Sequence, residues 1–184
     1  MKKASGEREN SGNITVLAVG PVEQDYHELL EIISSSEWPL CPGVEWRLKR
    51  SPNLPEALAD LTQSPVHIVI CESDLGTGTW KELWAHLVAQ PEPPFLIVTS
   101  RLADEYLWAE ALNLGAYDVL AKPFDANEVV RTLSQAGLHR SHRHAQRQRQ
   151  LSAVGYPQPE FDSQRSGAVQ AETTAGPKTA SRLR

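Results

Sequence analysis

Four short stretches end where charge could be held or moved. HIVIC (67–71) runs into Glu72, a carboxylate closing an apolar segment. FLIVTS (95–100) finishes on the hydroxyls of Thr99 and Ser100, and YDVLAK (117–122) on the amine of Lys122, with Pro123 behind it. ITVLAV (14–19) runs instead into Gly20 and Pro21, which carry no charge. A carboxylate, a hydroxyl and an amine that converge could take part in phosphoryl transfer, hold a cation, or simply form an ion pair. Which of these is open depends on the elements that carry them.

Each stretch is short, apolar and bounded by turn residues, which marks a buried strand rather than a helix. VEWRLKR (44–50) alternates like a strand with one wet face and belongs at a sheet edge. Helical patterns follow every strand. VEQDYHELLEIISSS spaces Tyr26, Leu29, Leu30 and Ile33 helically, with Glu23 and Asp25 near its start, where the helix dipole favours negative charge. PNLPEALADL, WKELWAHLVAQ, DEYLWAEALNLG and DANEVVRTLSQAG complete the set, with Gly115 and Gly137 suited to end the last two and Asp125 to cap the final one. Five strand-then-helix units over 14–138 predict a doubly wound parallel sheet with helices on both faces, a three-layer α/β sandwich. Ligands of such sheets bind outside the carboxyl ends of the strands, where the four stretches end.

Charge divides the chain. Residues 1–138 hold 10 Lys and Arg against 20 Asp and Glu, a net −10, whereas 139–184 hold 8 against 3, a net +5. The division gives a flexible N-terminus (1–12), a folded acidic domain (13–138) and a basic, low-complexity tail (139–184). The tail has too few large apolar residues to offset its ordering entropy and is predicted to be mostly disordered, with a helical extension allowed through Gln150. MKKASGEREN has no apolar region behind its basic start, and no run approaches the ~18 apolar residues of a membrane span, so a soluble cytoplasmic protein is expected. Cys41 and Cys71 lack a paired metal-ligand spacing, and Cys71 reads as a small strand hydrophobe.

VHIVICESDL, FLIVTS, ALNLGAYDVL and AKPF together resemble the receiver domain of two-component response regulators over about residues 13–138. The resemblance implies a flavodoxin-like strand order of 2-1-3-4-5 and a cis bond between Lys122 and Pro123. In that family an aspartate ending the third strand accepts phosphate from a histidine kinase, two acids after the first strand help hold Mg²⁺, a hydroxyl closes on the phosphoryl group, and a lysine contacts it. Thr99 and Lys122 match the hydroxyl and the lysine. The acceptor position holds Glu72, and Gly20 and Pro21 stand where the acidic pair belongs, with Ala18, Val19 and Val22 no better. Glutamate also reaches one methylene too far, and ~1 Å errors cost ~10²-fold.

The expectation is therefore a stand-alone pseudo-receiver. It is not an enzyme, has no catalytic residue or metal, has lost Mg²⁺ binding, and acts through a signalling-protein partner such as a histidine kinase or an output protein. Glu72 is read as a fixed charge beside Lys122, either a structural ion pair or a mimic of the phosphorylated state. Val119 occupies the place of the aromatic that usually reports switching. A rival reading keeps phosphate acceptance through an unconventional residue. Asp74, two residues past Glu72, should point outward. GTGTW (76–80) reads as a plain turn, and GPVEQD offers no phosphate-cradling loop for a flavodoxin-like cofactor enzyme. Trp80 and Trp84 read as packing. His139, His142 and His144, with Arg140, Arg143, Arg147 and Arg149, read as a solvated basic linker in preference to a metal or nucleic-acid site, since aromatics are not interleaved among them.

Overall fold

The computed structural model describes residues 12–153. Residues 1–11 of the N-terminus expected to be flexible and 154–184 of the tail expected to be disordered lie outside the described residues, whereas 151–153, expected to be disordered with the rest of the tail, are helical. The strands are β1 (Asn13–Val19), β2 (Glu45–Ser51), β3 (Ile68–Glu72), β4 (Phe95–Ser100) and β5 (Asp118–Ala121), and the helices are α1 (Glu23–Ser35), α2 (Leu54–Gln63), α3 (Trp80–Val88), α4 (Glu105–Leu114) and α5 (Ala126–Ala153). All pairings are parallel, in the order β2-β1-β3-β4-β5. This is the three-layer sandwich the sequence predicts, in the flavodoxin-like strand order the resemblance implies. Winding reverses between β1 and β3, so the carboxyl ends there form the topological switch point.

Side-chain alternation divides two cores between the faces of the sheet. Leu17, Val19, Val69, Cys71, Leu96, Val98 and Val119 pack with residues of α2, α3 and α4; Ile14, Val16, Ala18, Ile68, Ile70, Ile97 and Leu120 pack with α1 and α5. The central strands are covered on both sides, hence their unbroken apolar runs. β2 alternates exposed and half-buried positions, as an edge strand should. Trp80 is buried and the half-buried Trp84 packs against the same core, so both serve packing.

Local signals set the helix ends at most places. Asp104 Oδ1 accepts from Leu107 N at 2.9 Å, and Asp125 Oδ1 from Glu128 N at 2.9 Å. Gly115 ends α4 at φ 101°, where a Cβ would stand 2.9 Å from Trp84 Cζ2. Its missing side chain answers both a backbone and a packing demand.

Gly137 does not end its helix. α5 continues to Ala153, so residues 139–150 form its second half, helical where a linker was expected but solvent-exposed as expected, apart from the half-buried Arg140. A Cβ on Gly137 would meet Ile14 Cδ1 at 3.0 Å, Cys41 Sγ at 3.1 Å and a Trp46 ring atom at 3.3 Å. The glycine lets α5 lie close to the sheet and is a contact point within the helix. Beyond it, the Arg143 guanidinium sits 4.2 Å from the Phe95 ring centroid and donates to Pro93 O, and Arg147 pairs with Glu92. No helix among the described residues is long and apolar enough to cross a membrane.

Candidate functional site at the strand ends

Glu72 closes β3 and is paired in register with Thr99 of β4. The loop after β3 is tied to the same strand, Ser73 N donating to Thr99 O at 2.8 Å, and Lys122 N donates to Ser100 O at 3.0 Å. Glu72 and Thr99 of β3 and β4 and Lys122, one residue past β5, thus stand at the ends of three adjacent strands and line one small pocket. The Lys122–Pro123 peptide is cis, as the family resemblance implied.

Lys122 is gripped from two sides. Its side chain is only 5 % exposed, and its Nζ donates to Glu72 Oε2 and, at 2.5 Å, to Asp25 Oδ2. Both carboxylates are largely shielded from solvent, at 16 % and 15 % exposure. Asp25 reaches in from the first turn of α1. Its other oxygen lies 3.7 Å from the guanidinium of Arg101, a solvent-exposed residue following β4. Glu72 Oε1 also accepts a long bond from Ser73 Oγ, at 3.4 Å. Arg50, at the end of β2, lines the same pocket, and its Nε is buried without an acceptor.

Asp25 is the site residue the sequence reading missed. An acid in the first turn of a helix is already accounted for by the helix dipole. The N-cap, Val22, makes no side-chain cap bond, and Asp25 stands at the third helical position, where a carboxylate often reaches back to the cap. It reaches Lys122 instead.

Gly20 and Pro21 lie where the sequence placed them, after β1. Gly20 N donates to Ser51 O at 3.0 Å, and a Cβ there would be 3.4 Å from Glu72 Cβ, so the turn passes beside the carboxylate without supplying one. The cavity enclosed by these groups is about 20 Å³, room for about one water.

The remaining candidates fall outside this cluster. Asp74 Oδ1 accepts from Gly76 N at 2.8 Å, a turn bond within the exposed loop. Val119 is fully buried in the core beneath α2, α3 and α4. Cys71 is buried, and burial pushes its thiol up to about 12, against the opposing pull of Lys122, so it stays a protonated hydrophobe. His139 pairs through Nδ1 with the Tyr117 hydroxyl at 2.8 Å, and no group of three or more metal-ligating side chains occurs among the described residues.

Solved structures similar in fold include receiver domains. The signal receiver domain of an HD domain-containing protein from Pseudomonas fluorescens Pf-5 is 25 % identical, with a TM-score of 0.60 over 71 % of this chain and 98 % of that one. The chemotaxis response regulator CheY4 of Vibrio cholerae is 18 % identical, with a TM-score of 0.56 over 67 % of this chain and 98 % of its own. The receiver domain of a putative Luxo repressor protein from Vibrio parahaemolyticus is 14 % identical, with a TM-score of 0.59 over 72 % and 96 %. No protein-family model and no curated protein matches the sequence. The chain therefore carries the receiver-domain fold of response regulators.

Proposed function

We propose that this protein is a two-component signalling protein whose receiver domain works as a pseudo-receiver, binding a protein partner, a kinase or an output protein, without accepting phosphate. The observation that carries the reading is the clasp of Lys122 between Asp25 and Glu72. A phosphoryl group needs an attacking carboxylate, a cation to spread the developing charge, and space. Here the carboxylate at the acceptor position is already bonded to the amine that would contact the phosphoryl group. The cavity between them is of water size.

Mg²⁺ does not fit this donor set. The ion requires near-octahedral oxygen ligands and gives up water reluctantly. Gly20 and Pro21 supply no carboxylate, and the two that are present converge on an ammonium. Lys122 thus supplies internally the positive charge a metal would bring. The domain stands as a fixed version of the site, two carboxylates held on one ammonium, with no reaction of its own to perform.

The rival reading is a regulator that accepts phosphate on an unconventional residue, and it draws on Thr99 standing opposite Glu72 and on the additional carboxylate of Asp25. The two diverge when Mg²⁺ is titrated into the ¹⁵N-labelled full-length protein. The pseudo-receiver reading expects the amides of Gly20, Glu72, Ser73 and Lys122 to hold their shifts through millimolar Mg²⁺. Saturable movement of those amides, removed by Asp25→Asn, would favour the rival.

A further inference from the structure

At the opposite pole of the sheet, where β3 and β4 begin, a groove of about 620 Å³ runs between the second half of α5 and the loop joining α3 to β4. One wall is apolar, formed by Leu61, Val66 and the prolines of the loop. The other carries Arg140, Arg143 and Arg147 of α5, so that with Glu92 opposite them the lining is left with a net charge of +2, taking the histidines as neutral. An occupant must combine apolar faces with two or so negative charges.

We propose that the groove is the docking site of the chain's own segment 154–162, VGYPQPEFD, folded back along α5. Its composition fits both walls. Tyr156 and Phe161 offer aromatic faces to the prolines, and Pro157 and Pro159 favour an extended backbone with little entropy to lose. Glu160 and Asp162 supply two of the only three acids in the basic tail, and no Lys or Arg lies between Arg149 and Arg165. The complementarity is −2 against +2.

Length also fits. From Ala153, seven residues lead to Glu160 and nine to Asp162, which at ~3.3 Å per extended residue span ~23–30 Å. Returning along α5 from Ala153 to Arg143 takes ~15 Å, and to Arg140 ~20 Å, at 1.5 Å per helical residue. The tether leaves the segment at an effective concentration on the order of mM, so a weak contact suffices to fill the groove. Docking there would extend the charge pairing that Arg147 already makes with Glu92 and would brace α5, whose second half has few apolar contacts of its own.

The test uses the full-length chain with a nitroxide on Ser163→Cys; Cys41 and Cys71 are buried, which directs the label to the new thiol. Amides of Gln90, Glu92, Arg143 and Ala145 should lose more than half of their intensity, while those of Gly20 and Thr99 at the other pole keep theirs. Glu160→Lys with Asp162→Lys, changes outside the folded domain, should restore the lost intensity. Three results overturn the proposal: full intensity at the groove in the labelled wild-type background, broadening that survives the charge reversal, and comparable broadening when labelled ¹⁴N chains are mixed with unlabelled ¹⁵N chains, which would assign the groove to a second copy.

Discussion

The side chain on which the site turns is Lys122, since one shielded ammonium serves two carboxylates. Breaking a buried charge group by removing one member is costly because the charges left behind lose their partner. Lys122→Met leaves Asp25 and Glu72 facing each other and should destabilise the domain by ~3–5 kcal/mol. Glu72→Gln leaves the ammonium with Asp25 and should cost less, about 1–2 kcal/mol. Combining Lys122→Met with Asp25→Asn and Glu72→Gln should recover much of the loss, a non-additivity that urea denaturation of the three variants would measure. A cost for Lys122→Met below ~1 kcal/mol would mean a solvated pair. The single-pair reading of Glu72 with Lys122 was visible in the sequence, but the third member was not. Asp25 belongs to a helix, and only the packing of α1 against the sheet brings it to a strand end. His67 makes a second residue-scale prediction. Burial, reinforced by Arg140 of α5 and opposed by Glu92, holds its imidazole down at about 4, against an ordinary 6.5. Its Nδ1 accepts Thr15 N–H at 2.8 Å, a bond that protonation at Nδ1 destroys. Between those values the unfolded chain binds the proton and the native state does not. The stabilisation is therefore complete above pH 6.5 and declines as pH falls from 6.5 towards 4. His67→Gln should flatten that part of the stability profile; an unchanged slope would contradict the assignment.

Among the elements, the strands were legible almost to the residue because burial on both faces writes an unbroken apolar run, and the edge strand because burial on one face writes alternation. Caps at Asp125 and Gly115 were legible for the same reason that they work, a local hydrogen bond or a left-handed φ. The second half of α5 was only permitted by the sequence. HRSHRHAQRQRQ has no apolar stripe, and what holds it is an arginine over Phe95 and another against Glu92, contacts that depend on the α3–β4 loop lying beside it. Gly137 misleads similarly, since a glycine near a helix end looks like a stop when its role is close approach to Ile14, Cys41 and Trp46. Gly115 permits a sharper prediction. Gly115→Ala must adopt φ 101° and push against the Trp84 ring, so it should cost ~1–3 kcal/mol in thermal or urea unfolding. A neutral or stabilising substitution would show that the α4 exit relaxes.

Residues 12–153 form a receiver fold with a doubly clasped lysine at one pole and a cationic groove at the other. The fold class, the strand order and the identity of the strand-end residues all followed from sequence pattern and resemblance, whereas the closure of the site is a property of three elements meeting. The central claim is that this closure leaves no place for a phosphoryl group, and intact-mass spectrometry of the full-length protein incubated with acetyl phosphate and Mg²⁺ tests it most directly. The mass should remain that of the unmodified chain. An adduct of about +80 Da, the mass of one phosphoryl group, that forms on the wild type and disappears in Glu72→Gln would contradict it.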